Sequence, residues 1–314
     1  MNPLGKLERL SCAALLATAA CSDGALVTLG EQREPVETET VFGNIRQVSF
    51  ADPGIRDENP TLTDTMLEIF FESPDREEGA DGHHIWYASR ESSVAEFGEP
   101  RPLESFGGEG SYSSPAITLD GQTLWLAWKA EDSENDATTD LFWTARQAGD
   151  AVVFGNPEKV ADELINTAED ERPRPLGDEG RVMPFSRRRV TSEGEEIWQT
   201  WFAELRADGQ FEPPVLQDKL DSADVGIVDA FLSVDGLTLI FTRHAGGAGD
   251  LYWSTRRTTD DVFEGATEVP GVNTQDEERD PWLSPDGKTL FFVSNRDGEL
   301  NIYWATRITR PVSD

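Results

Sequence analysis

"DPWLSPDGKTLFFVSNRDGELNIYWATR", Asp280 to Arg307, sets a Pro-Asp-Gly turn between apolar runs and closes on a Tyr-Trp pair and an Arg. The Asp-Gly turn and the flanking alternation of aromatic and β-branched residues predict a hairpin rather than a helix. The stretch has relatives upstream. "DAFLSVDGLTLIFTRHAGGAGDLYWSTR" (Asp229 to Arg256) follows it nearly position by position, and "SPAITLDGQTLWLAWKAEDSENDATTDLFWTAR" (Ser114 to Arg146) keeps the plan with a longer inner loop. "NPTLTDTMLEIFFESPDREEGADGHHIWYASR" (Asn59 to Arg90) lacks the turn glycine, and Arg172 to Arg206 is the most degenerate copy.

A second landmark precedes each copy: a Phe, a short polar stretch that often holds Pro, then Val or Leu. These segments start at Phe42, Phe97, Phe154, Phe211 and Phe263, at intervals of 55, 57, 57 and 52 residues. A period of this size built only from strand-like pieces predicts propeller blades. Each unit reads as four strands, the Phe-initiated one outermost, where its Pro suits an edge. The last copy has no fourth strand of its own, whereas Val41 to Phe50 precedes the first copy without a partner. The sequence therefore predicts an all-β, five-bladed β-propeller whose ring closes when the N-terminal strand pairs with the C-terminal blade; no sixth copy is found.

The chain has 314 residues and a net charge of −33, from 27 basic and 60 acidic residues. Such a field repels nucleic acid and anionic lipid, so neither is an expected partner. Both cysteines, Cys12 and Cys21, fall near the N-terminus, which excludes a disulfide framework, a thiolate metal site and a cysteine nucleophile from the rest. Lys6 and Arg9 precede a short apolar run, Leu10 to Ala20, that is too short for a membrane span and reads as a signal peptide over residues 1–20. The run followed by Cys21 resembles a bacterial lipobox, with Thr18 where that family prefers Leu. The resemblance implies lipidation of Cys21, with Ser22 after it permitting an outer-membrane address. Residues 21–40 read as lipidated cysteine and flexible tether, and 41–314 as the propeller, with the membrane contacted only through the anchor.

"WLSPDGKTLFFVSNRDGELNIYWATR" closely resembles the blade repeat of the TolB-like propellers, a WD-repeat-like motif nearly complete in Ser284 to Arg296 and partial in Ser233 to Arg243. The resemblance implies a non-catalytic envelope module, facing the periplasm or exported, that binds or scaffolds an envelope protein or glycan. TolB itself adds an α/β domain and a sixth blade, neither of which is seen here.

The residues entering the innermost strands, Asn59, Ser114, Arg172, Asp229 and Asp280, are the expected binding residues at one rim of the channel. Acidic runs lead into several of them, and the acids have two readings: caps that bond within each blade, or a ring that takes a cation, a sugar or a basic peptide group. An alternative function follows from the five-bladed furanosidase-type glycoside hydrolases, with Asp57 or Glu58 paired with Glu171 as acid and base or nucleophile. The recurrence of acids at equivalent repeat positions favours the first reading. No cofactor is expected. His83-His84 reads as an exposed loop pair rather than a metal site, the acidic loop Glu131 to Asp140 as a calcium-like segment better read as a solvated turn, and Ser186 to Val190 as a basic island that balances local acids or marks a partner contact. The lipobox reading makes a direct prediction: fatty-acid labelling in a bacterial host marks the wild-type chain, and Cys21→Ala abolishes the label.

Overall fold

The computed structural model describes residues 38–311 apart from 75, 77–82, 104–109, 131–137, 150–151, 191–193, 195, 221–225 and 245–246. The segment expected to be a signal peptide, Cys21, the expected tether up to residue 37 and most of the Glu131 to Asp140 loop lie outside the described residues.

The strands form five antiparallel sheets of four. From the innermost strand outward, blade 1 holds Glu58–Leu62, Glu68–Ser73, His84–Ser89 and Arg101–Pro102. Blade 2 holds Gly110–Ile117, Thr123–Ala130, Asp140–Ala145 and Glu158–Lys159. Blade 3 holds Glu171–Pro173, Val182–Val190, Glu196–Glu204 and Val215–Leu216; blade 4 holds Ile227–Leu232, Thr238–His244, Gly249–Thr255 and Thr267–Glu268. Blade 5 takes Glu278–Leu283, Thr289–Ser294 and Asn301–Pro311 from the end of the repeat array, and Thr38–Gln47 completes it. The closing strand begins three residues before the expected Val41, because Thr38, Glu39 and Thr40 pair with Pro311, Arg310 and Thr309.

The turn chemistry repeats as the motif requires. In blade 5 the Ser284 hydroxyl donates to Asp286 at 2.7 Å and accepts from the Thr289 amide at 2.9 Å, while Gly287 takes φ +68°. Blade 4 copies this with Ser233, Asp235 and Gly236, and blade 2 uses Thr118, Asp120 and Gly121. Blade 1 lacks the glycine, and Met66 adopts the left-handed conformation in its place, at φ 57°.

The two sequence landmarks meet as one interaction. The closing Arg of a repeat lies over the landmark Phe: Arg90 on Phe97 at 4.3 Å, Arg146 on Phe154 at 5.3 Å, Arg256 on Phe263 at 4.6 Å and Arg307 on Phe42 at 5.5 Å. A buried ring thus carries a cation on its face, worth on the order of 0.5–2 kcal/mol each. Blade 3 departs from this. Arg206 turns to Asp208 and Glu212 at the surface, and Phe211 packs edge-on against Trp125 instead.

A second lock ties the crossovers. Arg76, Arg187, Arg243 and Arg296 donate to the carbonyls of Phe50, Ile165, Leu220 and Val272, each in the loop that brings the chain from one blade to the next. The Tyr and Trp residues three before each closing Arg, Tyr87, Trp143, Trp253 and Trp304, are half-buried against the apolar clusters, as packing residues.

The closing strand is also clasped from blade 4. The Phe42 amide donates to Pro270 O at 2.9 Å, and Gly271, at φ +86°, sits so close that a Cβ would fall 2.2 Å from Phe42 O. Gly271→Ala is expected to lower stability by at least about 2 kcal/mol in urea denaturation, since both the backbone conformation and the space require glycine.

Candidate functional site

Four of the innermost strands carry a residue with positive φ at the same place: Asn59 (52°), Ser114 (49°), Asp229 (53°) and Asp280 (52°). Each sits in a break in the strand register: between Glu58 and Thr61, Ser113 and Ala116, Val228 and Phe231, and Arg279 and Trp282. Asn and Asp tolerate this conformation better than most non-glycine residues, which accounts for three of the four residue types. Blade 3 has no such break. It carries one extra residue, so Arg174, rather than Arg172, stands at the equivalent place before a proline. Arg172 instead pairs with Ser186 and matches Glu58 and Arg279 in register.

These strand starts surround a cavity of about 250 Å³ with contributions from all five blades. Its keystone is Arg174, a buried guanidinium that bonds Asn59 of blade 1 and Asp229 of blade 4, and reaches Asp280 of blade 5 at 3.1 Å. Burial lowers the Arg174 pKa, partly offset by Asp280. Asp280 also accepts from the Asn59 amide at 3.4 Å and lies 3.4 Å from Arg279 Nε. Arg279 in turn reaches Glu58 at 2.6 Å. Burial, partly offset by Arg279, pushes the Glu58 carboxyl above the ordinary range.

Glu72, on the second strand of blade 1, accepts the Ser114 amide and stands 3.2 Å from His83 Nδ1. Burial alone would raise Glu72, but His83 and the Ser114 amide outweigh it and the net direction is down; the same contact with Glu72 raises His83 against its own burial. His83 is thus a cavity residue with a carboxylate partner, and His84 opens a strand, so the exposed-loop expectation for this pair is corrected: the strand entry turns His83 inward.

The structure brings together Glu58, Asn59, Arg172, Asp229 and Asp280 at this cavity. Ser114 contributes its amide to Glu72 and is itself buried. Asp57 and Glu171 are not in the lining. Asp57 is held by Arg76 in its own blade. Glu171 accepts from Thr167 and lies 2.8 Å from Arg187, with burial the larger influence and its pKa raised. Glu278 repeats that arrangement with Thr274 and Arg296, which makes it a blade lock. The basic island also finds local acids: besides Arg187 with Glu171, Arg188 pairs with Asp170 and Glu196. Among the described residues no group of three or more His, Cys, Asp or Glu is placed to hold a metal ion, and no helix is long and apolar enough to cross a membrane.

Sequence reading missed Arg174 and Glu72, and took His83 for a loop residue away from the site. The signal for Arg174 was the proline that follows the axial residue in four blades, Pro60, Pro115, Pro175 and Pro281. For Glu72 it was a carboxylate directly after the apolar run Ile69, Phe70 and Phe71 in the strand Glu68–Ser73.

No protein-family model and no curated protein matches the chain. Solved structures do. A thermostable family-43 glycoside hydrolase superposes with TM-score 0.55 at 11% identity, over 86% of this chain and 94% of that one. A putative TolB from Agrobacterium tumefaciens gives TM-score 0.50 at 11% identity, over 88% and 100%. TolB from Acinetobacter baumannii gives TM-score 0.45 at 12% identity over 82% of this chain, which spans 56% of that protein's length. At such identities the likeness is one of fold, and it runs to a putative TolB and to a glycoside hydrolase alike.

Arg174→Gln would leave Asp229 and Asp280 in the cavity without their shared counter-charge. It is expected to cost about 3–5 kcal/mol in denaturant unfolding, and Asp229→Asn in the same background to restore part of that loss.

Proposed function

We propose that the chain is a non-catalytic propeller of a bacterial cell envelope, anchored through a lipid on Cys21 at the outer membrane, which binds or scaffolds an envelope protein or glycan at its axial cavity. The observation that carries this reading is the state of the four cavity carboxylates. Asp229 and Asp280 share Arg174, Glu58 is paired with Arg279, and Glu72 with His83. Glycosidic hydrolysis needs one carboxyl to give a proton and a second to act as base or nucleophile. A carboxylate held by a guanidinium is a poor proton donor and a weakened nucleophile. The arrangement suits recognition, in which paired charges present fixed acceptors and donors.

A second reading rests on Glu58, whose burial raises its pKa, as a general acid requires. With the fold likeness to a family-43 glycoside hydrolase, it supports a furanosidase-type activity in which Glu58 takes the role of acid. Two measurements separate the readings. Capture from a solubilised envelope by the full-length chain should retain a defined protein or glycan, and the loss of that partner in Arg172→Glu would place the contact at the cavity. Assays over arabinan, fructan and xylan substrates should show no turnover. Hydrolysis that disappears in Glu58→Gln would replace the binding reading with the enzymatic one.

A further inference from the structure

The pairing of charges in the axial cavity leaves a remainder. Arg174 and Arg279 are taken up by Asp229, Asp280 and Glu58, and His83 by Glu72. Two further cations line the same cavity, Lys129 from blade 2 and Arg172 from blade 3. Both are exposed, and among the described residues neither has an ion pair or a side-chain hydrogen bond. The Arg172 guanidinium lies 4.5 Å from the centre of the Trp198 ring, a contact that orients its plane without neutralising its charge. In a chain of net charge −33, the uncommitted charge at the axis is therefore positive.

The rest of the lining narrows the ligand. Ser111, Ser113, Thr139 and Asn59 offer hydroxyl and amide groups, and among the described residues no apolar side chain lines the cavity. A peptide terminus would bring its carboxylate together with a side chain that this lining gives nowhere apolar to lie. A sugar acid suits it, because every face of the ring carries a hydroxyl to be bonded. The cavity, about 250 Å³, has room for one ring.

We infer that the axial cavity receives a hexuronate unit of an acidic glycan, its carboxylate on Arg172 and Lys129. The planar guanidinium takes both carboxylate oxygens, and the ammonium supplies a second charge. The ring hydroxyls donate to Glu58, Asp229 and Asp280, which Arg279 and Arg174 hold in place. Discrimination then arises on both sides: a neutral sugar leaves Arg172 and Lys129 unanswered, and a simple carboxylate leaves the acceptor oxygens without donors. This inference rests on the binding reading proposed above and specifies the ligand of that same cavity.

The test is titration calorimetry on the purified full-length chain with galacturonate and glucuronate, as monomers and dimers. The comparison ligands are galactose, glucose, acetate and an acetylated dipeptide with a free C-terminus. At least one uronate is expected to bind at least about tenfold more tightly than its neutral counterpart and than acetate. Arg172→Gln and Lys129→Gln should each weaken it about tenfold or more without changing the melting temperature, and Arg189→Gln, an exposed change on the same blade, should leave it unaltered. Binding of the neutral sugar as tightly as the uronate, lost in Arg172→Gln, would overturn the uronate assignment and leave the binding reading intact. Dipeptide in preference to uronate would overturn it in favour of a peptide ligand. Uronate affinity unchanged in both variants, or no uronate binding at all, would also overturn it. Release of free sugar from a uronate glycoside would overturn the non-catalytic reading itself.

Discussion

A blade buries both faces against its neighbours, so a gap in the ring would bare two apolar faces at once. The ladder between Thr38–Gln47 and Asn301–Pro311 prevents that here. It joins strands from the two ends of the array, so it forms only when all five blades are in place, and it removes the sheet edge that blade 5 would otherwise expose. Phe42 concentrates the effect. Its amide is bound by Pro270 of the preceding blade, its ring packs edge-on to Trp253, and Arg307 covers its face. One residue thus joins two blades and both ends of the repeat array.

The axis depends on a different balance. Left-handed residues at the strand breaks turn polar side chains toward the centre, where carboxylates from neighbouring blades would repel one another. Arg174 resolves this by answering blades 1, 4 and 5 from blade 3. Its place there follows from one additional residue, Glu171-Arg172-Pro173-Arg174, which does without the strand break found in the other blades. The same irregular blade gives up its surface lock. With Arg206 turned outward, an open groove of about 470 Å³ remains between blades 2 and 3, floored by Trp125, Trp143 and Phe211. Blade 3 therefore departs from the repeat at its inner and its outer edge.

Much of the fold was legible because it repeats. Asp-Gly turns, the Phe landmarks and the unpaired strand near the N-terminus were enough to predict five blades and their closure. What was not legible was which landmarks touch, since the closing Arg and the Phe are separated in sequence by a turn of variable length, as in Arg90 to Phe97 and Arg146 to Phe154. The site was harder for a related reason. Recurring acids such as Glu171 and Glu278 stood out and proved to be locks within their blades. The residues that distinguish the cavity do not recur: Glu72 stands where other blades have Ala127, Ser186, Thr242 or Val293, so comparison among copies could not raise it. Arg172 and Arg174 differ by one step of register, which is visible only through the proline that follows the second.

The pairing of Thr38 with Pro311 has a consequence for how the domain can be handled mechanically. Both ends of the described propeller lie on the two outer strands of a single sheet, whereas the cavity is built mainly from innermost strands. A force applied at residue 38 or residue 311 enters the sheet through its two outer strands and not through the innermost strands that build the cavity. The strands that take such a force and the strands that shape the cavity thereby lie at separate radii of the ring.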